Sequence, residues 1–303
     1  MNPILFGVFL SPDAAGVDRL RDQVQTAEKT GFDYVSIQDH PYAPAFLDTF
    51  ALIGYLLGQT ERLRFFTDVA NLPLRPAPML AKTSSALDLV SGGRFELGLG
   101  AGRSWKQITG LGGPQLTPGE TVEAVDEAIT VLRELWRPGR TVSFPGRHYQ
   151  LADVQTGPAP AHDIGIWLGV GGPRMLNLLG RRADGWIAPL ATGYETKPAA
   201  QDRIDAAAIA AGRKPSEIRR MIQLVGSVTD TAQTATRPRS GPGAQAIRTT
   251  PGVWAQIIAE LVIEERFDSV NFIPEDASPE QLGRFATEVV PAARSAIRAS
   301  TQP

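Results

Sequence analysis

The chain has no cysteine among its 303 residues, and this absence excludes disulfides, thiolate metal sites and a catalytic thiol. An excess of charge of either sign is also missing, because 30 Lys and Arg stand against 32 Asp and Glu and the net charge is −2. A chain so close to neutrality has no electrostatic footprint for nucleic acid or for an anionic membrane surface. We therefore expect neither of these partners, and the lack of cysteine fits a reducing compartment.

Long hydrophobic runs are missing as well. The longest apolar segment, residues 50–57, is far shorter than the roughly 20 residues that cross a bilayer. The first apolar run, residues 4–10, has no basic start and is too short for a signal peptide. Histidine is scarce too, and metal-ligating residues do not cluster along the chain. We expect a cytoplasmic protein without a metal site.

Short apolar runs alternate with helical patterns from one end of the chain to the other. Several of the runs are apolar on both faces, which is typical of strands buried in a parallel sheet. The eight predicted strands are residues 5–10, 34–38, 65–70, 95–100, 166–170, 185–190, 222–228 and 269–273. Eight strand–helix units in about 300 residues indicate an α/β fold of the (β/α)8 TIM-barrel type, in one domain over residues 1–303. A doubly wound parallel sheet is the alternative.

Three segments interrupt this alternation, and we interpret them as insertions. Residues 103–117 form a loop rich in glycine and polar residues after the fourth predicted strand. Residues 140–163 are predicted to contain a hairpin, with strands at 142–144 and 148–151, before a proline-rich run. Residues 229–250 follow the seventh predicted strand and combine low hydrophobicity with turn formers. This last segment is either a lid over the barrel or a loop without function.

Two of the predicted strands end in glycines. The fourth has Gly98, Gly100 and Gly102 at alternate positions, and the fifth leads through Gly171 and Gly172 into a helix. Glycine weakens a strand interior, so this spacing suggests that something approaches the backbone closely. Free amides ahead of a helix also suit an anion. The pattern predicts an extended, phosphate-bearing ligand that lies across several strand tips.

Barrel enzymes place their chemistry at the C-terminal ends of the strands, and two predicted strands carry ionisable residues there. The second ends in Asp39 and His40, and imidazole suits proton transfer near neutral pH. The alternative for His40 is a structural histidine bonded to the backbone. If both residues lie on a strand, Asp39 points roughly the other way. Asp68 stands in an otherwise apolar strand, where it either caps a turn or marks irregular backbone beside a ligand.

At these same residues the chain resembles the bacterial luciferase-like superfamily of flavin- and deazaflavin-dependent oxidoreductases. The resemblance runs from about residue 3 to residue 295. Its specificity comes from the combination of a Ser-Gly-Gly-Arg and Gly-Leu-Gly block with an Ala-Asp-Gly-Trp block. The matching motifs are Asp39-His40, Ser91-Gly92-Gly93-Arg94, Leu97-Gly98-Leu99-Gly100-Ala101-Gly102, Leu168-Gly169-Val170-Gly171-Gly172-Pro173-Arg174 and Ala183-Asp184-Gly185-Trp186.

The resemblance implies a (β/α)8 barrel with a tricyclic cofactor over its strand tips, often in a homodimer. In many relatives the third strand carries a cis non-proline peptide that props the ring, and here this bond would fall between Asp68 and Val69. The residues implied around the ring are Asp39, His40, Asp68, Val69, Ala70, Gly100, Ala101 and Gly102, and those implied at the phosphate are Gly171, Gly172, Pro173 and Arg174.

The resemblance also bears on the cofactor and the reaction. The Asp39-His40 pair and the block that begins at Ser91 are most similar to the deazaflavin branch, which implies coenzyme F-420 (8-hydroxy-5-deazaflavin) in preference to FMN. The acidic residue that sugar-phosphate dehydrogenases of that branch carry after strand four is replaced here by Ala101-Gly102, which argues against sugar-phosphate oxidation.

These implications favour an oxidoreductase that transfers hydride between F-420 and a small organic substrate. In this hypothesis His40 and Asp39 are the catalytic residues, His40 as acid/base and Asp39 in positioning the ring. One alternative is a reduced-FMN-dependent monooxygenase that uses oxygen. A second alternative is a non-catalytic flavin-binding protein.

Overall fold

The computed structural model describes residues 3–190, 196–233 and 246–301. Eight parallel strands form a closed barrel in the order β1, β2, β3, β5, β8, β9, β10 and β12, and β12 pairs again with β1. The barrel strands are β1 (Leu5–Leu10), β2 (Tyr34–Ile37), β3 (Arg64–Thr67), β5 (Phe95–Gly100), β8 (Ile166–Leu168), β9 (Gly185–Ile187), β10 (Arg219–Val228) and β12 (Ser269–Pro274). The (β/α)8 barrel is therefore confirmed, and each of the eight predicted strands is present.

Four further strands lie outside the barrel ring: β4 (Ala70–Asn71), β6 (Thr141–Pro145), β7 (Gln150–Gln155) and β11 (Ile247–Thr249). The third predicted strand, residues 65–70, is divided into β3 and β4 by the peptide bond between Asp68 and Val69. β6 and β7 form an antiparallel hairpin where one was predicted. β6 includes all of residues 142–144, whereas β7 begins two residues later than predicted and continues to Gln155. β11 pairs in parallel with the end of β10, which the sequence did not predict.

The helices surround the barrel and bury their apolar faces against the outer side of the strands. They are α1 (Val17–Thr30), α2 (Thr49–Leu57), α3 (Ala77–Ser91), α4 (Trp105–Gly110), α5 (Pro118–Leu135), α6 (Pro173–Arg182), α7 (Lys197–Ala210), α8 (Pro251–Ile263), α9 (Pro279–Arg284) and α10 (Val290–Thr301). α5 shows how the sequence starts a helix: Thr117 and Glu120 form a reciprocal capping box around Pro118 at the first position. None of the described helices is long and apolar enough to cross a membrane.

The predicted insertions have a more definite local structure than the sequence indicated. Residues 103–117, expected to be a loop, contain the short helix α4. Most of the third segment, residues 234–245, lies outside the described residues, and so the choice between a lid and a loop without function falls outside them as well. Its end re-enters the sheet as β11, where the Thr229 amide donates to the Thr249 carbonyl at 2.9 Å.

A second, smaller apolar cluster fills the inside of the barrel. It consists of Tyr34, Phe66, Trp167, Ile187 and Met221, all of which are buried. Two of these large rings lie over glycines of the neighbouring strand: a Cβ at Gly7 would be 2.0 Å from the Tyr34 ring, and one at Gly185 would be 2.2 Å from Trp167. Because these side chains fill the middle of the barrel, space for a ligand remains only at its two ends.

Candidate functional site

The parallel strands bring the predicted site residues to one end of the barrel, which we call the barrel mouth. His40 follows β2, Asp68 and Val69 join β3 to β4, Gly100 ends β5, and Gly172 precedes α6. Because all eight strands run in the same direction, residues at their C-terminal ends must lie at this mouth. The mouth is therefore the candidate active site.

Both carboxylate oxygens of Asp39 are engaged in a buried ion pair. Arg75 donates to both of its carboxylate oxygens, from Nε to Oδ2 and from Nη2 to Oδ1, each at 2.7 Å. The backbone amide of Asn71 also donates to Oδ2, at 2.9 Å. Asp39 has only 1% of its surface exposed. Its carboxylate thus fixes β4 and Arg75 beside the mouth, and such a bidentate pair orients groups better than it transfers protons.

Arg75 is the partner that sequence reasoning missed. Its Nη2 also donates to Asp48 Oδ2 at 2.6 Å, and its guanidinium carbon lies 4.6 Å from the centre of the Phe50 ring. Asp48 in turn caps the first turn of α2 through the Ala51 amide. One arginine therefore ties the tip of β2 to the start of α2. No periodicity or motif in the sequence marks this residue, since its partners lie 27 and 36 positions away.

His40 is exposed at the mouth and stacks on aromatic neighbours. Its ring centre lies 5.4 Å from that of Tyr42 and 6.5 Å from that of Phe46, with interplanar angles of 20° and 18°. Among the described residues its imidazole has no hydrogen-bond partner, so the backbone-bonded alternative is not what the structure shows. Partial burial lowers the pKa of His40, and the negative charge of Asp39 opposes this shift. The imidazole is therefore mainly neutral near pH 7, with one nitrogen free to accept a proton.

Asp68 faces the inside of the barrel just below the mouth. Gln223 Nε2 donates to Oδ1 at 2.9 Å and to Oδ2 at 3.0 Å, and Asn271 Nδ2 donates to Oδ2 at 3.0 Å. Ser36 Oγ lies 3.4 Å from the same oxygen. Burial raises the pKa of Asp68 to about 6, although these hydrogen bonds act to lower it. Sequence reasoning singled out Asp68 but not its three partners, which come from β2, β10 and β12.

The peptide bond between Asp68 and Val69 is cis, as the resemblance implied. The Val69 side chain lies over the ends of two neighbouring strands. A Cβ at Gly100 would lie 2.5 Å from Val69 Cγ2, and a Cβ at Gly169 would lie 2.8 Å from Val69 Cγ1. We call Val69 together with these two glycines the Val69 floor. At these positions the close approach that the sequence predicted is made by the protein itself, which corrects the inference of bare backbone left for a ligand.

The other predicted residues at this edge are placed as follows. Ala70 is buried in β4, where it pairs with Leu99 of β5. Ala101 is partly buried against the core, and Gly102 has a φ of 92°, which few other residues adopt. A Cβ at Gly102 would lie 2.7 Å from Pro73 and 3.2 Å from Trp105. The turn after β5 is therefore closely packed and has no room for a larger side chain at position 102.

The start of α6 is the candidate anion site. Gly172 is the N-cap residue and supplies no side-chain cap, and Pro173 is the first helical residue. Pro173 and Arg174 are exposed, and Gly171 and Gly172 are partly exposed. An uncapped helix start of this kind offers free amides and a positive dipole end to a phosphate. The buried Oδ1 of Asn71 likewise has no partner within the described structure, and it lies at the same end of the barrel. The start of α6 fits a phosphate, and the Asn71 oxygen, which can only accept, fits a hydrogen-bond donor elsewhere on a phosphate-bearing cofactor.

A second histidine cluster lies at the opposite end of the barrel. His162 Nδ1 is 2.8 Å from Asp88 Oδ1, and its Nε2 is 3.2 Å from Glu96 Oε1. Glu96 is near the start of β5 and also accepts from the Gly165 amide at 2.9 Å. Because this cluster is at the N-terminal ends of the strands, we expect it to stabilise the barrel and to take no part in the candidate active site. Within the described ranges no group of three or more ligating residues is arranged to hold a metal.

Similarity to known proteins points in the same direction as the geometry. Residues 4–282 match the family model of the luciferase-like monooxygenases. An F420-dependent glucose-6-phosphate dehydrogenase of Nakamurella multipartita is 30% identical over 237 residues, which are 73% of this chain and 67% of the relative. An F420-dependent hydroxymycolic acid dehydrogenase of Mycobacterium tuberculosis is 32% identical over 241 residues, which are 74% of this chain and 63% of the relative.

A solved structure is similar along almost the whole chain. An F420-dependent secondary alcohol dehydrogenase in complex with an F420-acetone adduct has a TM-score of 0.79, at 20% sequence identity. The match covers 96% of this chain and 99% of that one, and at this identity it supports the fold. Among the relatives compared by sequence, the aligned part is between 56% and 69% of the relative's own length.

Proposed function

Because this chain belongs to the luciferase-like monooxygenase family, we propose that it is an oxidoreductase that transfers hydride between coenzyme F-420 and a small organic substrate. The observation that carries the proposal is the joint presence, at one barrel mouth, of a neutral exposed His40 and the uncapped start of α6. The relatives named above support F-420 as the cofactor, since their names state dependence on it.

The cofactor would be held at two places. The backbone N–H groups of Gly172 and Arg174 and the guanidinium of Arg174 would bind its phosphate, because the N-terminal dipole of α6 and the charge of the arginine act together there. The Val69 floor would support one face of its ring. When bound, F-420 supplies a ring that accepts or donates a hydride. The chain's own part is then to orient the ring, exclude water and move one proton.

His40 is the residue that would move the proton. Its neutral imidazole would accept the hydroxyl proton at its free ring nitrogen when a substrate alcohol is oxidised, and would return it in the reverse direction. Asp39 would act indirectly. It accepts hydrogen bonds from Arg75 and from the Asn71 amide, and so it fixes the backbone next to His40. Asp39 is thus a positioning residue in this proposal, not the group that transfers the proton.

The substrate would be something other than a sugar phosphate. The acidic residue that the sugar-phosphate branch is expected to carry after strand four is replaced by Ala101-Gly102, and the packing at Gly102 leaves no room for one there. The aromatic stack of His40, Tyr42 and Phe46 instead offers flat apolar surface beside the acid/base. This combination suits an alcohol or carbonyl compound with an apolar body.

The first experiment is a titration of the purified protein with F-420 and, separately, with FMN, followed by fluorescence. The proposal expects saturable binding of F-420 at lower concentration than FMN. Arg174→Ala should weaken F-420 binding several-fold, because a charge at the phosphate is lost. Arg181→Ala is the matched control, since Arg181 is an exposed arginine at the other end of the same helix. Preferential binding of FMN would favour the oxygen-dependent alternative.

The second experiment separates catalysis from binding. His40→Ala should leave the dissociation constant of F-420 within a few-fold and lower turnover by about 10²–10⁴. His162→Gln, at the opposite end of the barrel, should change neither quantity. Tight F-420 binding with unchanged turnover in His40→Ala would contradict the role of His40, and tight binding with no turnover on any alcohol or carbonyl compound would favour a binding protein.

We also propose, from the family resemblance, that the protein forms a homodimer. Exposed apolar side chains on α2 and α3 support this: Tyr55, Leu89 and Val90 are 45%, 42% and 78% exposed. Sedimentation of the purified chain at several concentrations tests it, and a single species of monomer mass would reject it.

A further inference from the structure

The carboxyl group of Asp68 is held below the Val69 floor by three strands at once. Its partners are Gln223 on β10, Asn271 on β12 and Ser36 on β2, at donor–acceptor distances between 2.9 and 3.4 Å. Asn271 also donates to Ser36 Oγ at 2.8 Å, so the partners are connected to one another. Three side chains from separate parts of the chain thus fix one carboxyl group in the barrel interior, one residue before Val69.

All of these partners are neutral. Within the part of the chain that the structure describes, Asp68 forms no ion pair, whereas Asp39 is paired with Arg75. Tyr34 on β2 is an ionisable residue affected by the charge of Asp68, and its hydroxyl is buried. Burial and the charge of Asp68 raise the pKa of Tyr34 well above its usual value, so Tyr34 stays neutral. When Asp68 ionises, it therefore places an uncompensated negative charge in the interior.

A charge in this position would matter for a bound cofactor. A hydride brings two electrons and one proton, so a ring that accepts it becomes more negative by one unit unless a further proton follows. An ionised Asp68 opposes that change, and a neutral Asp68 does not, because charges interact more strongly in the barrel interior than in water. The donor set around Asp68 lacks any cation that would cancel this effect.

We propose that Asp68 is a positioning residue whose charge below the Val69 floor sets the preference of the site for the oxidised over the reduced cofactor. The inference rests on the proposed function, because it needs F-420 at the mouth. It goes beyond that function by assigning a distinct role to a residue that neither transfers the proton nor binds the phosphate.

Asp68→Asn is a suitable probe because its hydrogen bonds can form again. The amide of Gln223 can turn its oxygen toward the new NH2 group, and Asn271 has a buried Oδ1 without a partner that can do the same. The substitution keeps the shape of the side chain and removes only its charge. Asp276→Asn is the matched control, because Asp276 is an exposed carboxylate just beyond the C-terminal end of β12.

The test measures the dissociation constants of oxidised and reduced F-420 for the wild-type protein and both variants at pH 8. Asp68→Asn should favour the reduced form by about tenfold relative to the oxidised form, equivalent to a rise of about 30 mV in the potential of the bound cofactor. Asp276→Asn should leave this ratio within twofold. If the wild type binds neither form, the proposed function is overturned. If it binds both and Asp68→Asn leaves the ratio unchanged, this inference alone is overturned.

The wild-type protein provides a second measurement that does not depend on the variant's folding. The difference between the potentials of bound and free F-420 should rise as the pH falls from 8 to 5, because Asp68 takes up a proton on that path. His40→Gln should keep this pH dependence, and Asp68→Asn should lose it. A difference that is constant with pH in the wild type, or one that disappears in His40→Gln, would overturn the inference.

Discussion

The side chain of Val69 occupies the space that a side chain at Gly169 would need, since a Cβ at position 169 would lie 2.8 Å from Val69 Cγ1. The same valine meets Gly100 on its other side, where the corresponding distance is 2.5 Å. The glycines of β5 and of the turn after β8 thus make a socket for one residue of the third strand. The shape of the mouth is fixed by this contact before any cofactor binds.

Gly169→Ala should displace Val69 and disturb the mouth. We expect a loss of about 1–3 kcal/mol in the free energy of unfolding from overpacking, together with weaker F-420 binding. Urea denaturation and fluorescence titration measure the two effects. Adding Val69→Ala should restore part of both losses, because the smaller side chain frees the space. Gly252→Ala, where a Cβ would meet nothing within 4 Å, is the control and should be neutral or slightly stabilising.

Arg75→Met should be strongly destabilising. It leaves Asp39, which is 1% exposed, as a buried carboxylate without its partner. The expected loss is about 3–5 kcal/mol in the free energy of unfolding, measured by urea denaturation. Arg75→Lys should recover only part of this, because an ammonium group cannot reproduce the bidentate contact. Arg21→Ala, which breaks an exposed pair with Asp18, should cost less than about 1 kcal/mol. Equal effects of Arg75→Met and Arg21→Ala would contradict the structure.

His162 should make the stability of the protein depend on pH. The hydrogen bond to Glu96 raises the pKa of His162, burial opposes this, and the charges of Glu96 and Asp88 add to the rise. A raised pKa means that the protonated form is favoured in the folded state. The stabilisation is therefore complete below the unfolded pKa of about 6.5 and is lost as the pH rises through the folded pKa.

The measurement is urea unfolding of the wild type and of His162→Gln at pH 6 and pH 9. The wild type should exceed the variant by more at pH 6 than at pH 9. His40→Gln should show the opposite sign, because the pKa of His40 is lowered and its contribution falls as the pH decreases. An identical difference at both pH values for His162→Gln would contradict the assignment.

Glu127 should hold the hairpin of β6 and β7 against α5. Its carboxylate accepts backbone N–H groups from Arg147, His148 and Tyr149 at 2.8, 2.8 and 3.0 Å. Glu127→Ala should lower the free energy of unfolding by about 2 kcal/mol and expose the hairpin turn to proteolysis. Glu123→Ala is the control, since this neighbour is exposed and contacts side chains of the hairpin, Arg147 at 3.0 Å and His148 at 3.6 Å, but none of its backbone N–H groups. Cleavage at equal rates in both variants would reject this role.

The fold could be predicted from the sequence because its signals are local. Each barrel strand is a short run of apolar residues, and the alternation with helices is visible without knowing which residues meet. The short elements were harder to predict from the sequence, because α4 lies in a segment with loop-like composition and β11 has only three residues. Their formation depends on packing against the rest of the barrel, which a local pattern does not contain.

The site could be predicted only in part. His40, Asp68 and the glycines stand out because they break an apolar pattern at strand ends. Gln223 and Asn271 do not stand out, since they meet Asp68 across 155 and 203 positions of sequence. The glycines were located correctly, but their contacts were not, because a sequence shows that space is needed without showing which group takes it.

The His162 cluster and the mouth occupy opposite ends of one barrel, with a layer of packed aromatic and aliphatic side chains between them. Natural selection can therefore act on the two ends separately. In a lineage that moves to a more acidic or more alkaline habitat, one or two replacements in the His162 cluster can change the pH dependence of stability while the chemistry at the mouth is preserved. In a lineage that acquires a new substrate, the loops at the mouth can change without altering the pH dependence of stability.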